Sequence, residues 1–294
     1  VRILVKIGGA QLEQPGPRQQ LCNAIKDALN QGHEIIVVHG GGNQIRAVGK
    51  QLGLQDRYHE GLRITDRATA DAVLMVLGGL VNRNFVQSLA QSDLKAVGLT
   101  GADGNTFSAK PLTRTGVDLG FVGSVDKVDS TLVESLLKGG FVPVIATVAP
   151  GTNGTGTNSS SESDGQPFFN INADHAVAPL GRALDCDAVL FLTDVDGVLD
   201  AQGKLMPLLT DNDCERLIKT GVAAGGMQPK LESAQLAARE NPHAIVKIAA
   251  ASGDDCVLAA LRDGSGSRFF ALATNGKAPE KNNDLPGKGA LQHG

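Results

Sequence analysis

The sequence predicts an α/β fold in which a parallel sheet lies between layers of helices. Three observations lead there. Short β-branched runs alternate with longer amphipathic stretches over most of the chain, as they do in βαβ units. Two glycine clusters, Gly8–Gly9 and Gly40–Gly42, directly follow two of those runs, where open α/β sheets bind ligands beyond the carboxyl ends of their strands. Aromatic residues are only 3% of the chain against 41% hydrophobic residues, so the core must be aliphatic.

The elements follow from local pattern. Arg2–Ile7 (R-I-L-V-K-I) is a buried strand. Residues 19–31 carry Leu21, Ile25, Ala28 and Leu29 at helical spacing. Residues 34–38 form the next strand and residues 43–52 the helix after its glycines. Residues 68–90, containing V-L-M-V-L-G-G-L-V, make a longer helix, followed by a short strand at Ala96–Leu99. Residues 104–123 are β-hairpin and loop material. A helix at 130–138, a strand at 141–148, a helix at 174–184 and a strand at Ala188–Thr193 come next. Helices at 211–221 and 230–240 and a strand at 244–250 complete the alternation. Residues 150–166, rich in Gly, Ser, Thr and Asn, break the rhythm and are expected to be a mobile loop. Residues 275–294 are polar and read as a flexible tail beyond a single domain at 1–274. No internal repeat is visible.

Composition narrows the function. The net charge is −4 and the chain has neither a basic run nor an aromatic platform, which argues against nucleic acid as a partner. Cys22, Cys186, Cys214 and Cys256 are scattered with no CxxC, so free thiols in a reducing cytoplasm are expected, not disulfides or a metal site. No uninterrupted apolar run reaches about 18 residues, so neither a membrane-spanning helix nor a membrane partner is expected. Residues 1–5 read as strand, not as a signal peptide.

The chemistry lies in a few motifs. Lys6 opens K-I-G-G, Lys230 closes G-G-M-Q-P-K, and H-G-G-G lies between them. Glycines at strand-to-helix junctions let backbone N–H groups approach an anion, and a nearby lysine adds a point charge for phosphate. That combination points to phosphoryl transfer, where positioning and charge neutralisation do most of the work. His39, ahead of the three glycines, has the plainer reading of a strand cap. Arg63, in G-L-R-I-T-D, is able to grip a carboxylate, or else to pair on the surface with Asp66 or Glu60. Asn170 and Asn172 alternate onto one face ahead of Asp174, which is either a helix N-cap or an acid that orients the lysines. Thr193-Asp194-Val195-Asp196-Gly197-Val198 lacks the EF-hand spacing and is read alone as a turn. There is no G-x-x-x-x-G-K-[ST], which excludes P-loop kinases, and no Ser–His–Asp or Cys–His pattern.

In this order, V-K-I-G-G, V-V-H-G-G-G, G-L-R-I-T-D, V-N-R-N with A-V-G-L-T-G-A-D-G, N-I-N-A-D, L-T-D-V-D-G-V and G-G-M-Q-P-K resemble the amino-acid kinase family. Within it the resemblance is to the branch that acts on N-acetylated glutamate, and it spans roughly residues 2–250. It implies a three-layer αβα sandwich around a central, mainly parallel eight-stranded sheet. It implies a lobe at about 1–173 for the acyl-amino acid and one at about 174–274 for ATP. The implied reaction is ATP-dependent phosphorylation of the γ-carboxylate of N-acetyl-L-glutamate.

By the same resemblance, Lys6, Lys230 and Asp174 are catalytic. Gly8 and Gly9 donate to phosphate. Gly41, Gly42, Arg63, Asn170 and Asn172 bind the acid. Thr193 to Val198, with Val222 and Ala224, line the nucleotide. Mg²⁺ is carried by ATP, so no protein metal cage is expected. The family also implies a homodimer.

Three departures from the family pattern stand out. The loop at 150–169 is long. The segment A-S-G-D-D-C at 251–256 replaces the family's late D-G-R-x-x-H pattern, in a region that contributes to feedback inhibition by arginine. The chain starts at its first strand, where arginine-sensitive members carry an extra helix that joins dimers into hexamers. A dimer insensitive to arginine is the corresponding expectation. Alternative substrates under the same resemblance are N-succinylglutamate and carrier-linked aminoadipate, and the alternative class is a non-catalytic amino-acid sensor.

Overall fold

A computed structural model describes residues 1–152 and 168–271. Its centre is an eight-stranded sheet in the spatial order Leu208–Thr210, Ser267–Phe270, Ile245–Ala250, Ala188–Thr193, Arg2–Ile7, Glu34–His39, Val142–Ala146, Ala96–Leu99. Every neighbouring pair is parallel except Ile245–Ala250 with Ser267–Phe270. The expected sandwich and its mainly parallel sheet are therefore present. In the central trio Ile7 is in register with Leu192 on one side and His39 on the other. The chain segments that begin at Gly8, Gly40 and Asp194 thus leave the sheet side by side.

The strands are buried on both faces and read as continuous apolar runs. On one face Leu4, Ile36, Val38, Val189 and Phe191 pack with Val177, Leu180, Leu231 and Ala234 from two helices, Ala173–Ala183 and Met227–Glu240. On the other, Ile3, Val5, Ile7, Ile35 and Val37 pack with Leu21, Ile25, Val73 and Phe85. Each such aliphatic side chain contributes about 1.5–3 kcal/mol when fully buried.

A second sheet of four strands, Phe107–Pro111, Val122–Val128, Phe168–Ile171 and Val148–Pro150, lies beside the first. The hairpin expected at 104–123 is its antiparallel pair, with the second strand running on to Val128. The single strand expected at 141–148 divides at Thr147, because the chain passes there from the main sheet into the second one. A small hairpin, Tyr58–His59 with Leu62–Arg63, turns through Glu60 at φ 47° and Gly61 at φ 78°. Positive φ at both central residues is the twist that two-residue hairpins favour.

Helix boundaries also differ. The helix expected at 19–31 starts at Pro15, whose fixed φ suits a first turn. The helix expected at 230–240 starts at Met227, which moves Lys230 inside its first turn. Asp174 is not the N-cap of its helix: Asn172 is, accepting from the Asp174 N–H at 2.9 Å. Short elements escaped the periodicity altogether, among them Gly9–Glu13, Tyr58–His59, Leu62–Arg63, Leu208–Thr210, Cys256–Leu261 and Ser267–Phe270. All four cysteines are free and buried.

One helix bears on the expectation that no segment crosses a membrane. The continuous helical stretch Arg67–Gln91 has 25 residues, and an 18-residue window within it reaches a mean hydropathy of 1.2, so by length and composition alone it is long and apolar enough to cross a membrane. Scattered polar residues hid this from a search for unbroken apolar runs. Val73, Val76, Leu77, Val81, Phe85 and Leu89 spend its apolar face on the core. Asp66 caps its start by accepting from Thr69 N–H at 2.9 Å, and Met75–Val81 is wound as π-helix. Most of the loop expected at 150–166, and the tail at 275–294, lie outside the described residues.

Gly101 tests the junction of the two sheets. A Cβ there would lie 2.3 Å from the Phe107 carbonyl oxygen and 2.5 Å from Ala149 Cβ. Gly101→Ala should lower stability by about 1–3 kcal/mol in urea unfolding, as other overpacked sites do. Gly16→Ala, in a helix with nothing within 4 Å, is the control and should be neutral or slightly stabilising. A Gly101→Ala midpoint equal to wild type would contradict this packing.

Candidate functional site

Two glycine loops form the floor of the site. After Ile7 the chain passes through Gly8 into the helix Gly9–Glu13, and after His39 through Gly40 and Gly41 into the helix Gly42–Gln51. The loops touch. A Cβ on Gly9 would sit 2.7 Å from Gly41 Cα, and one on Gly41 would sit 2.7 Å from Leu77 Cδ2. Gln44 pins the contact by donating its amide N–H to the Gly9 carbonyl at 2.8 Å. Packing against backbone therefore requires Gly9, whereas a side chain at Gly41 would have to displace the end of Leu77. Gly42 differs, since a Cβ there would meet nothing within 4 Å. Its backbone borders a cleft of about 280 Å³.

Lys6, Gly8, Gly9, Gly41, Gly42, Arg63, Asn170, Asn172 and Lys230 all line that cleft. These nine are sequence-predicted residues from five separate stretches of chain. Ile45, Tyr58, Leu62, Leu77 and Val122 supply much of its apolar wall.

Asp174 sits behind the cleft and joins the two lysines. Lys6 Nζ lies 2.6 Å from its Oδ1 and Lys230 Nζ 3.6 Å from its Oδ2. The side chains of Lys6 and Asp174 are 5% and 12% exposed, against 24% for Lys230. Burial pushes the Lys6 ammonium below its ordinary range; Asp174 opposes the shift and Lys230 adds to it. Burial alone would raise the Asp174 carboxyl, but Lys6 and Lys230 hold it below its ordinary value. Two ammonium groups share one carboxylate, so the cluster carries one net positive charge towards the cleft. The first turn of the helix Ala173–Ala183 adds a dipole that favours the carboxylate there.

Arg63 forms the other pole. It is buried, donates to the Gly42 carbonyl at 3.1 Å, and contacts both Asp56 and the Tyr58 hydroxyl. Its guanidinium lies 4.8 Å over the Tyr58 ring. Burial, reinforced by nearby Arg46, pushes its pKa down to about 10, so it stays charged at neutral pH. The surface pairing with Asp66 or Glu60 is not made. Asp66 caps a helix and faces Arg57 at 3.7 Å, while Glu60 faces Arg114 at 3.7 Å. Asn170 donates to the Thr65 hydroxyl at 3.3 Å. Asp56 and Tyr58 were missed by sequence reasoning; the turn E-G before L-R was the signal that they fold back onto Arg63.

The residues expected around the nucleotide do not enter the cleft. Thr193 ends the strand next to Lys6, and its hydroxyl donates to Asp194 at 2.9 Å. Val195 and Asp196 continue the turn. Gly197, at φ 154°, packs where a Cβ would lie 2.7 Å from Ser267 Oγ, and Val198 N–H donates to that oxygen at 2.8 Å. Val222 and Ala224 are exposed just before the helix that carries Lys230. Thr193 thus leaves the sheet at the same edge as Ile7 and His39, and Val222 and Ala224 lead into the helix that carries Lys230.

Comparison with known proteins agrees with this geometry. Residues 1–247 match the amino acid kinase family. The acetylglutamate kinase of Acidobacterium capsulatum is 41% identical over 231 residues, covering 79% of this chain and 84% of that one. The crystal structure of smu.665 from Streptococcus mutans superposes with a TM-score of 0.75 at 25% identity, covering 92% of this chain and 98% of that one. The N-acetylglutamate synthase of Neisseria gonorrhoeae gives a TM-score of 0.77 at 22% identity, with 92% and 60% covered, and shares the fold.

Asp174→Asn tests the charge cluster through stability. It leaves Lys6 buried without its partner, a change that typically costs about 3–5 kcal/mol at neutral pH. Because the Asp174 carboxyl is held below its unfolded value of 3.8, its contribution is fully present above that pH. The contribution disappears as pH falls through the lower folded value. The stability gap between wild type and variant should therefore shrink in acid. A gap independent of pH, measured by urea unfolding at pH 7 and below 3.8, would refute the ion-pair assignment.

Proposed function

The chain belongs to the amino acid kinase family, and we propose that it transfers the γ-phosphoryl group of ATP to the γ-carboxylate of N-acetyl-L-glutamate. The product is N-acetyl-L-glutamyl 5-phosphate, an intermediate of arginine biosynthesis. The observation that carries this reading is the Lys6–Asp174–Lys230 cluster opening onto a glycine-floored cleft with Arg63 at its far end.

The chemistry asks little of acids and bases. A γ-carboxylate is ionised at neutral pH, so its oxygen attacks the γ-phosphorus directly. The new O–P bond forms as the bond to the bridging β–γ oxygen breaks, and ADP leaves with that electron pair. No proton is transferred. The barrier lies in bringing two anions together, which fixed positive charge lowers. Lys6 and Lys230 supply the charge, and Asp174 keeps both in place between turnovers. Gly8 and Gly9 offer backbone N–H groups to phosphate. Arg63 takes the α-carboxylate, with Asn170, Asn172, Gly41 and Gly42 fitting the rest of the acid.

Thr193, Asp194, Val195, Asp196, Gly197 and Val198, with Val222 and Ala224, border the nucleotide in this reading. The lobe at about 174–274 thus takes ATP and the lobe at about 1–173 takes the acid. Among the described residues, no group of three or more His, Cys, Asp or Glu side chains is placed to hold a metal ion. Asp174 is already committed to two ammonium groups. This donor set fits Mg²⁺ carried on the ATP phosphates, where it neutralises phosphate charge.

Retention of both lysines and the aspartate counts against a non-catalytic sensor. A cytoplasmic homodimer is part of the proposal. Its support is the pair Met75 and Leu80, which stand 57% and 49% exposed in the π segment of Arg67–Gln91. Sedimentation as a monomer at micromolar concentration would remove that part.

Acyl-phosphate formation, trapped as hydroxamate, tests the function. N-acetyl-L-glutamate should be preferred over N-succinyl-L-glutamate, L-glutamate and L-aspartate. Lys6→Ala and Lys230→Ala should lower kcat by at least about 100-fold, the scale for losing one transition-state donor. Arg63→Ala should mainly raise KM for the acid. Normal kcat in Lys6→Ala, or no activity from folded wild type with Mg²⁺ and ATP, would sink the proposal.

A further inference from the structure

His39 is fully buried at the end of a central strand, and the transfer chemistry above gives it no task. Its surroundings assign it one. Asn82, also fully buried, reaches down from the helix Asn82–Gln91 and donates its side-chain N–H groups to two acceptors. One is the Val144 carbonyl at 2.9 Å; the other is His39 Nε2 at 3.0 Å. The amide cannot be turned over, because its oxygen would then face the Val144 carbonyl oxygen. The room for that oxygen is built in: a Cβ on Gly98 would lie 1.8 Å from Asn82 Oδ1.

With Nε2 accepting, a neutral imidazole must carry its proton on Nδ1. Burial pushes the ring's pKa down to about 4, so it is neutral at physiological pH. Nδ1 lies 3.1 Å from the Gly40 carbonyl oxygen. On its other side Gly40 donates its N–H to the Ile7 carbonyl at 3.4 Å. The peptide unit between Gly40 and Gly41 is planar and trans, so a carbonyl turned towards His39 sends the Gly41 N–H the opposite way. His39 lies beneath the cleft and Gly41 lines it, while the Gly41 carbonyl is taken by Ile45 N–H at 2.9 Å.

We propose that His39 is a positioning residue: held by Asn82 as the Nδ1–H tautomer, it anchors the Gly40 carbonyl and aims the Gly41 N–H into the cleft as an anion donor. Glycine freedom at 40–42 makes such an anchor necessary, since three successive glycines would otherwise leave that peptide free to rotate. The consequence for catalysis rests on the kinase reading. The tautomer does not.

Imidazole-¹⁵N-labelled protein at pH 7 gives the decisive measurement. Long-range ¹H–¹⁵N spectra resolve the ring nitrogens of six histidines, and His39 is identified by its contact with the Asn82 amide protons. The expected pattern is Nδ1–H with an unprotonated Nε2. An Nε2–H tautomer or an imidazolium overturns the proposal even if the kinase assay succeeds. If the wild type proves inactive, this spectrum still decides the tautomer. Kinetics then tests the role. His39→Leu should lose about 10–100-fold in kcat, less than outright removal of a donor, with KM for ATP nearly unchanged. His39→Asn, which returns an amide N–H near the Nδ1 position, should recover most of that loss. Equal losses in folded Leu and Asn variants would show a packing role only and overturn the proposal.

Discussion

Asp174 must neutralise Lys6, which has almost no water to do it, while also facing the partly exposed Lys230. Lys6 is buried at the end of the first strand, and burial by itself disfavours its charged form. The carboxylate that prevents this has to be buried as well, and a helix N-terminus is where a buried carboxylate is cheapest to hold. The central strand and two helices are thus tied to a single point of charge balance. The helix Ala173–Ala183 has to begin over the first strand, and the helix Met227–Glu240 has to place its first turn within reach. The apolar packing of those helices on Leu4 and Val189 supplies the stability that such a charged cluster does not.

The same economy governs the glycines. Gly9 lets the two loops touch at a position that any side chain would block, and Gly41 lets its loop lie close against Leu77 and Val81. Close contact between the loops brings their N–H groups to one small volume, which is what a phosphate requires. The cost is conformational freedom in the unfolded chain and slack in the folded one. Gln44, Asn82 and His39 remove the slack with side-chain hydrogen bonds from beneath. In the proposed reading, a rigid anion cradle depends on residues that do not line the cleft.

Much of this was legible in the sequence because the fold has a strong period. Buried parallel strands give unbroken β-branched runs, so Arg2–Ile7, Ala96–Leu99 and Ala188–Thr193 were bounded correctly. Motif order carried the site further than periodicity could: Lys6 and Lys230 lie far apart in sequence, yet both flank Asp174. What remained hidden has physical causes. Elements as short as Leu208–Thr210 and Ser267–Phe270 have no room for a period. The choice between the two readings of Asp174 stayed open because Asn172 and Asp174 are both competent N-caps, and only packing selects between them. The alternative pairing of Arg63 with Glu60 or Asp66 rested on nearness in sequence, whereas the hairpin turn at Glu60–Gly61 folds Arg63 back onto Asp56 and Tyr58.

His39 shows why a titratable residue in a kinase site need not be an acid or a base. The attacking carboxylate arrives ionised, so a protonatable group near the phosphate would add only an unwanted pH dependence. Burial removes that dependence by keeping the ring neutral, and Asn82 removes the remaining ambiguity about which nitrogen carries the proton. What is left is a rigid donor of fixed direction at a position where a hydroxyl or an ammonium group would be free to rotate. The ring's aromatic planarity, not its acidity, is then the property that suits it to holding a flexible glycine peptide in one orientation.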